Sequence, residues 1–288
     1  MPSSLIKHLK AFRFGEVFIL SGFFLIGAVF SINQINHVVG YRLLLTGLLT
    51  VFLLCSLYAF NAYCGRKEDI NNQRLKALHE ISPSLYLLGF LCLFSLSTIL
   101  GYFLYKPIIL LIILLGVLGA GYSLPTIGKN KLFVGTFIHF FFQITAFHIA
   151  YCVFLPISWH SIFVSIYFSV LYAAGHLHHE VIDYEADKKS LINTGAIFWG
   201  IKKVEFLSFT LFSIAVVYWL GLYLRSIIGE IEFFPFLGAF ALHLIIFIKV
   251  QASFTTNSKK RIYYRSIYRW LYFIAGMALL GFKAHYLY

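Results

Sequence analysis

The chain is 288 residues long, 60% hydrophobic and only 12% charged, with a mean hydropathy of +0.83 and a formal net charge of +12. Soluble domains average about 25% charged residues, so this composition excludes an ordinary soluble domain and indicates a polytopic membrane protein. No Pro/Gly/Ser-rich linker or block of charge divides it, and a single membrane domain over residues 1–288 is expected.

A helix crosses a bilayer in about 20 apolar residues. Nine apolar runs approach or reach that length, at 14–32, 41–64, 84–104, 107–122, 132–155, 160–180, 204–225, 232–250 and 268–287, which predicts an all-α protein of nine transmembrane helices. The first run is too long for a signal peptide and lacks a small-residue cleavage site, so Lys7, Lys10 and Arg13 before it read as a cytoplasmic anchor. With the N-terminus inside, 19 of the 23 Lys and Arg residues fall on the inner side, and only Arg42, Lys106, Arg225 and Lys283 fall outside. Short cytoplasmic loops collect Lys and Arg. The split therefore predicts an N-in, C-out topology, and it accounts for the net charge without a nucleic-acid partner. Cys55, Cys64, Cys92 and Cys152 show no spacing suited to a zinc site or a disulfide framework.

The second run ends in YAFNAYCGRKEDINNQR, residues 58–74, and the fourth in GYSLPTIGKNK, residues 121–131. The sixth ends in GHLHHEVIDYEADKKS, residues 175–190, a polar stretch directly after an apolar one. There His176, Glu180, Asp183 and Asp187 stand at i, i+4, i+7 and i+11, which is one stripe if the helix continues past the membrane boundary. Carboxylates facing the same way repel one another. A hard divalent cation that prefers oxygen ligands, Mg²⁺ above all, is the natural counter-charge. Pairing with Lys188 and Lys189 would contribute only about 0.3–0.5 kcal/mol each and does not require a stripe at that depth. A di-iron centre needs several histidine clusters, whereas His139, His148 and His160 are scattered singly.

A shift of 118 residues carries His176, Glu180, Asp183 and Asp187 onto Tyr58, Ala62, Gly65 and Asp69. The chain thus reads as two four-helix pseudo-repeats plus a ninth helix, with the binding site where the repeats meet. Transport fits less well, because transporters place ionisable groups near mid-membrane and these acids sit at the inner boundary.

These residues resemble the UbiA superfamily of intramembrane prenyltransferases, which have nine transmembrane helices, an N-D-x-x-D-x-x-x-D motif after the second and a D-x-x-x-D motif after the sixth. Asp183-Tyr-Glu-Ala-Asp187 matches the second motif, and Tyr122, Ser123, Pro125, Lys129 and Lys131 match a Tyr-Ser-x-Pro-Pro segment with basic residues. The first motif is degenerate: Asn61 and Asp69 match its ends, but Ala62 and Gly65 stand where the family has aspartates. The resemblance implies two or three Mg²⁺ shared between the two motifs; with two carboxylates missing from the first, one bound ion is expected, with Asn61, Asp69, Glu180, Asp183 and Asp187 as its oxygen donors. It implies catalytic roles for Asn61, Asp69, Asp183 and Asp187, and a prenyl diphosphate steadied by Arg66, Lys67, Arg74, Tyr122, Lys129 and Lys131. His176 and His179 are the candidates to meet an acceptor, and Tyr58, Tyr63, Tyr122 and Tyr172 to shelter an allylic cation. The implied activity is transfer of a prenyl group from a polyprenyl diphosphate to an aromatic or other small acceptor within a bilayer such as the bacterial inner membrane, with the site facing the cytoplasm. A terpene cyclase of the same type and a non-catalytic prenyl-lipid-binding protein are the alternatives.

Overall fold

The computed structural model describes residues 13–34, 36–72, 75, 79–251 and 257–287, except for the side chains of residues 68, 71, 125, 129 and 287. Nine long helices dominate the described residues: α1 (Phe14–Ser31), α2 (His37–Cys64), α3 (Pro83–Leu104), α4 (Ile108–Ser123), α5 (Val134–Tyr151), α6 (Trp159–Lys189), α7 (Ile201–Leu224), α8 (Glu230–Gln251) and α9 (Ser258–Leu287). No strand occurs among the described residues. Local chemistry sets several starts. The Asn36 side chain accepts the Val39 N–H at 2.9 Å to open α2, and Ser82 caps α3 with Pro83 in its first turn. Ser158 and Ser161 form a reciprocal capping box at the head of α6.

Seven of these helices are long and apolar enough to cross a membrane, so the chain is an integral multi-pass protein by length and composition. The other two fall short for different reasons. α4 has only 16 residues, about 24 Å at 1.5 Å per residue. The first half of α9 carries Lys259, Lys260, Arg261, Arg265 and Arg269. Two boundaries depart most from the expected runs. α6 continues nine residues beyond 180, because Val181, Ile182 and Asp187 remain buried against neighbouring elements. α9 starts ten residues before 268, and its early turns are buried too: Tyr264 is 1% exposed, Arg261 3% and Arg269 9%. The basic heads expected to anchor in the cytoplasm are partly turned into the protein.

Sequential helices pack as neighbours around a ring, which α9 closes by returning to α1, while α5 lies against α1 and α6 lies against α9 across its middle. One core joins α1, α2, α4 and α5 through Phe24, Leu49, Leu53, Ile112 and Phe142. The other stacks Phe30, Phe147, Tyr167, Phe168, Trp219 and Phe236, with Tyr167 and Trp219 ring centroids 4.2 Å apart. Part of the high aromatic content is thereby explained as packing, since each such ring pair adds about 0.5–1.5 kcal/mol beyond its area. The two cores meet where Gly27 of α1 lies against the Phe147 carbonyl of α5; a Cβ there would overlap that oxygen. Outward, α3 exposes Leu88, Leu91, Leu96, Ile99 and Phe103, an apolar face suited to lipid.

Candidate active site

At one end of the ring, the N-terminal ends of α1 and α5 meet the C-terminal ends of α2, α4 and α6, enclosing a cavity of about 160 Å³. Its walls include Asn61, Asp69, Tyr122, Lys131, His176, His179, Glu180, Asp183 and Asp187, so residues from all three sequence segments converge. The i, i+4, i+7, i+11 stripe does lie on one continuous helix, α6. After α2 ends, a 3₁₀ turn at Glu68–Asn71 brings Asp69 against α6, and the Asp69 N–H donates back to the carbonyl of Gly65, the residue that caps α2, at 2.9 Å. The next residue, Asn72, donates from Nδ2 to Asp183 Oδ1 at 3.0 Å and so ties the two polar segments together.

Asp183 is held from both sides, since His179 Nε2 stands 3.3 Å from its Oδ2. Glu180 behaves differently from the other acids. Its carboxylate faces the backbone N–H groups of Gly195 and Ala196, and His176 Nδ1 lies 3.7 Å from its Oε1. His176 also meets the Thr136 hydroxyl at 3.2 Å, and its ring lies 3.9 Å, centroid to centroid, from that of His139. His139, which the sequence leaves isolated, is therefore part of the site. It donates from Nδ1 to the Gly135 carbonyl at 2.8 Å, which leaves Nε2 as an acceptor. Around these rings Tyr122 stands edge-on to His139 at 4.5 Å and Tyr172 stacks on it at 5.6 Å. A second, apolar pocket of about 80 Å³ adjoins the cavity across Tyr58, Asn61, Tyr122, His139 and Tyr172, and runs on to Leu54, Leu57, Gly119, Ile138 and Phe142.

Not every expected residue reaches the cavity. Arg66 turns away to donate to the carbonyls of Ile81 at 2.8 Å and His79 at 3.0 Å, so it braces the loop. Lys67 and Tyr63 are exposed and form no part of the wall, whereas Tyr58 and Tyr172 do. Arg74 and the Lys129 side chain lie outside the described residues. Ala62 is buried in an apolar cluster with Ala59, Leu75, Ile81 and Tyr86, which explains why no carboxylate belongs there in this chain.

Sequence reasoning missed Asn72, Arg13, Arg265, Tyr268, Arg269 and Tyr272, all of which line the cavity. Arg13 has φ 53°, a left-handed conformation uncommon for a non-glycine residue, and its guanidinium lies 5.3 Å over the Tyr58 ring. Burial disfavours its charge, yet Glu16, Asp69 and Asp183 outweigh burial and hold the Arg13 pKa above its usual value. The i, i+4 spacing of Arg265 and Arg269 with Tyr268 and Tyr272 was the available signal, but it sat inside what looked like a cytoplasmic anchor.

The donor set can be tested against a hard cation. Asn61 Oδ1 and Thr194 Oγ1 are buried without a hydrogen-bond partner among the described residues, and Asp69, Asp183 and Asp187 share their cavity. All are oxygen donors, which suits Mg²⁺ better than softer metals. Among the described residues no three His, Cys, Asp or Glu side chains gather closely enough to cage an ion by themselves. Glu180 shares the cavity with Asn61, Asp69, Asp183 and Asp187, with its carboxylate toward the Gly195 and Ala196 N–H groups. Mg²⁺ commonly takes one or two carboxylates and completes its shell with substrate phosphates and water.

The polar, acid-lined cavity continues into an apolar pocket among the helices. The chain belongs to the UbiA prenyltransferase family, whose model matches residues 17–275. Solved structures share the fold over nearly all of both chains. A UbiA homologue from Archaeoglobus fulgidus bound to GPP and Mg²⁺ has a TM-score of 0.75 at 18% identity, covering 96% of this chain and 99% of its own. The apo UbiA homologue from Aeropyrum pernix K1 has a TM-score of 0.67 at 13% identity, covering 94% and 97%. A digeranylgeranylglyceryl phosphate synthase has a TM-score of 0.66 at 17% identity, covering 97% and 98%. No curated protein matches the chain.

Proposed function

We propose that this protein transfers a prenyl group from a prenyl diphosphate to a small acceptor within the membrane. The nine helices then cross the bilayer with the N-terminus and the cavity on the cytoplasmic side. The observation that carries the reading is the Asn72–Asp183 bond, which joins the two polar segments over one cavity that opens into an apolar pocket. Family membership and the relative bound to GPP and Mg²⁺ support it.

Asn61, Asp69, Asp183 and Asp187 are the residues that would hold Mg²⁺, which when bound offsets the negative charge developing on the departing diphosphate. Lys131, at the exposed mouth of the cavity, adds a positive charge beside that group. The allylic C–O bond breaks with its electron pair leaving on the diphosphate oxygen. The new bond forms from an electron pair of the acceptor, which then loses a proton. Tyr58, Tyr122 and Tyr172 surround the carbon that carries the transient positive charge, and aromatic faces stabilise such charge by about 1–2 kcal/mol each when water is excluded. His139 Nε2, free of the carbonyl bond that Nδ1 makes, is positioned to take the acceptor's proton.

The test is to supply purified protein with Mg²⁺, prenyl diphosphates of several lengths and candidate acceptors, and to identify products by mass. Asp183→Ala and Asp187→Ala should abolish turnover in a folded protein, and retained activity in either would refute the site. Diphosphate release without any acceptor would mark a cyclase instead. Binding with no release under any condition would mark a non-catalytic lipid-binding protein.

A further inference from the structure

The connection between α6 and α7 has two unlike faces. Its inner face closes the cavity: Ile192 and Thr194 line the wall, and the Gly195 and Ala196 N–H groups meet the Glu180 carboxylate. Its outer face is aromatic and uncovered among the described residues. Phe198 is 72% exposed and Phe206, in the second turn of α7, is 61% exposed, with Trp199 exposed between them. The Trp199 ring packs against Phe133 at 4.7 Å, centroid to centroid, which fixes it to the neighbouring loop.

Contacts between α6 and α7 set the depth of this face. Ser208 Oγ donates to the Ala174 carbonyl at 2.8 Å and Glu205 meets His178, so residues toward the start of α7 lie beside residues toward the end of α6. Lys202 and Lys203 are then level with Glu180, and the Gly195 and Ala196 amides touch Glu180 directly. The whole stretch 195–203 thus lies at the level where the sixth apolar run stops. Aromatic rings with lysines at the edge of an apolar span are the chemistry of the bilayer interface. Protein interfaces, by contrast, are depleted in lysine.

The charge on this face selects among lipids. Lys188, Lys189, Lys202 and Lys203 are all exposed, and among the described residues from 185 to 206 Glu185 is the one exposed carboxylate. A zwitterionic headgroup has no net charge with which to balance that excess, and an anionic one does.

We propose that the outer face of the α6–α7 connection is a binding site for anionic phospholipid. Phe198, Trp199 and Phe206 enter the interface and Lys202 and Lys203 hold the headgroup, so that bound lipid steadies the cavity wall on the other side of the same segment. The inference needs the chain to span a membrane and is independent of the prenyl-transfer reading.

The test places the full-length protein in nanodiscs of phosphatidylcholine mixed with phosphatidylglycerol, with bromine on the acyl chain of one lipid or the other near its headgroup. Bromine quenches a tryptophan that it touches, and the difference from Trp199→Phe isolates Trp199 from the other tryptophans. Brominated phosphatidylglycerol should quench Trp199 more than brominated phosphatidylcholine present at the same fraction. Lys202→Gln and Lys203→Gln should each raise the phosphatidylglycerol fraction for half-maximal quenching about fivefold, the equivalent of the ~1 kcal/mol that a basic residue gains at an anionic surface. Both lysines are exposed, and an unchanged melting midpoint in detergent would show that the variants remain folded. Hydrogen exchange over residues 192–196 should slow when phosphatidylglycerol is added, and less so in the double lysine variant. Equal quenching by the two lipids would overturn the proposal, and so would quenching by neither, which would place the segment in water or under a protein partner. Loss of the phosphatidylglycerol preference on adding inorganic phosphate at constant ionic strength would assign the lysines to a soluble phosphate instead. Unchanged hydrogen exchange would refute the link from lipid to cavity wall.

Discussion

Replacing either of two neighbouring residues by aspartate separates what sequence alignment alone would treat as equivalent repairs. Ala62 is 7% exposed and packs against Ala59, Leu75, Ile81 and Tyr86. The neighbouring cation, Arg66, already donates to the carbonyls of Ile81 and His79. An aspartate in that apolar cluster has to stay neutral at pH 7, about 3 units above its ordinary pKa, which at ~1.4 kcal/mol per unit amounts to about 4 kcal/mol. Fitting the extra atoms adds about 1–3 kcal/mol. If Arg66 moves to pair with it, two loop hydrogen bonds are lost instead. Gly65 differs. It closes α2 at φ −85°, a conformation open to any residue, one turn after Asn61 and with its carbonyl bonded to Asp69. Gly65 stands in the chain between Asn61 and Asp69, both of which line the cavity. We expect Gly65→Asp to lower the Mg²⁺ concentration for half-maximal prenyl diphosphate binding by about tenfold, the scale seen when a metal site's ligand surroundings are altered. Ala62→Asp should lower the thermal unfolding midpoint with no gain in Mg²⁺ affinity. Isothermal titration with Mg²⁺ and a thermal melt on both variants measure this. Tighter Mg²⁺ binding by Ala62→Asp at an unchanged melting midpoint would refute the assignment of that face to the core.

Removing the Asn72 amide with Asn72→Ala deletes a hydrogen bond to a carboxylate, so kcat/KM should fall about 10- to 100-fold while the melting midpoint stays within a few degrees, as steady-state kinetics and a melt would report. Gly27→Ala forces α1 away from the Phe147 carbonyl of α5 and should destabilise the protein by about 1–3 kcal/mol, read from the melting midpoint in detergent. His178 lies 2.5 Å from Glu205 and bonds the Arg261 carbonyl at 3.2 Å, both side chains being buried, so His178→Ala should lower stability by about 3–5 kcal/mol; an unchanged melt would show the pair to be dispensable.

The helical framework was legible because the bilayer imposes length and apolarity on each span separately, and those are local properties of sequence. The acid stripe on α6 was legible for the same reason: His176, Glu180, Asp183 and Asp187 share a helix, so their spacing alone places them on one face. Contacts between distant segments were not. Nothing local marks His139 as the neighbour of His176, or Asn72 as the partner of Asp183, because the pairs are 37 and 111 residues apart in the chain. Basic residues near a membrane boundary carry a further ambiguity. Arg265 and Arg269 satisfy the positive-inside pattern as well as any loop lysine, and only the burial of early α9 separates a site residue from an anchor.

The degenerate first motif then has a physical sense. Its half of the site contributes Asp69 with two amides, Asn61 and Asn72, while α6 contributes Asp183 and Asp187. Carboxylates facing one another across a gap need a cation to hold them together, whereas an amide can donate to a carboxylate directly, as Asn72 does at 3.0 Å. Arg13 adds positive charge near Asp69 and Asp183 from a third direction. A site built this way keeps its two polar segments in register before any ion arrives. The ion is then needed for the charge on the substrate rather than to assemble the protein, and Asn72→Ala, which keeps the Asp183 carboxylate and loses only the link, separates the two roles.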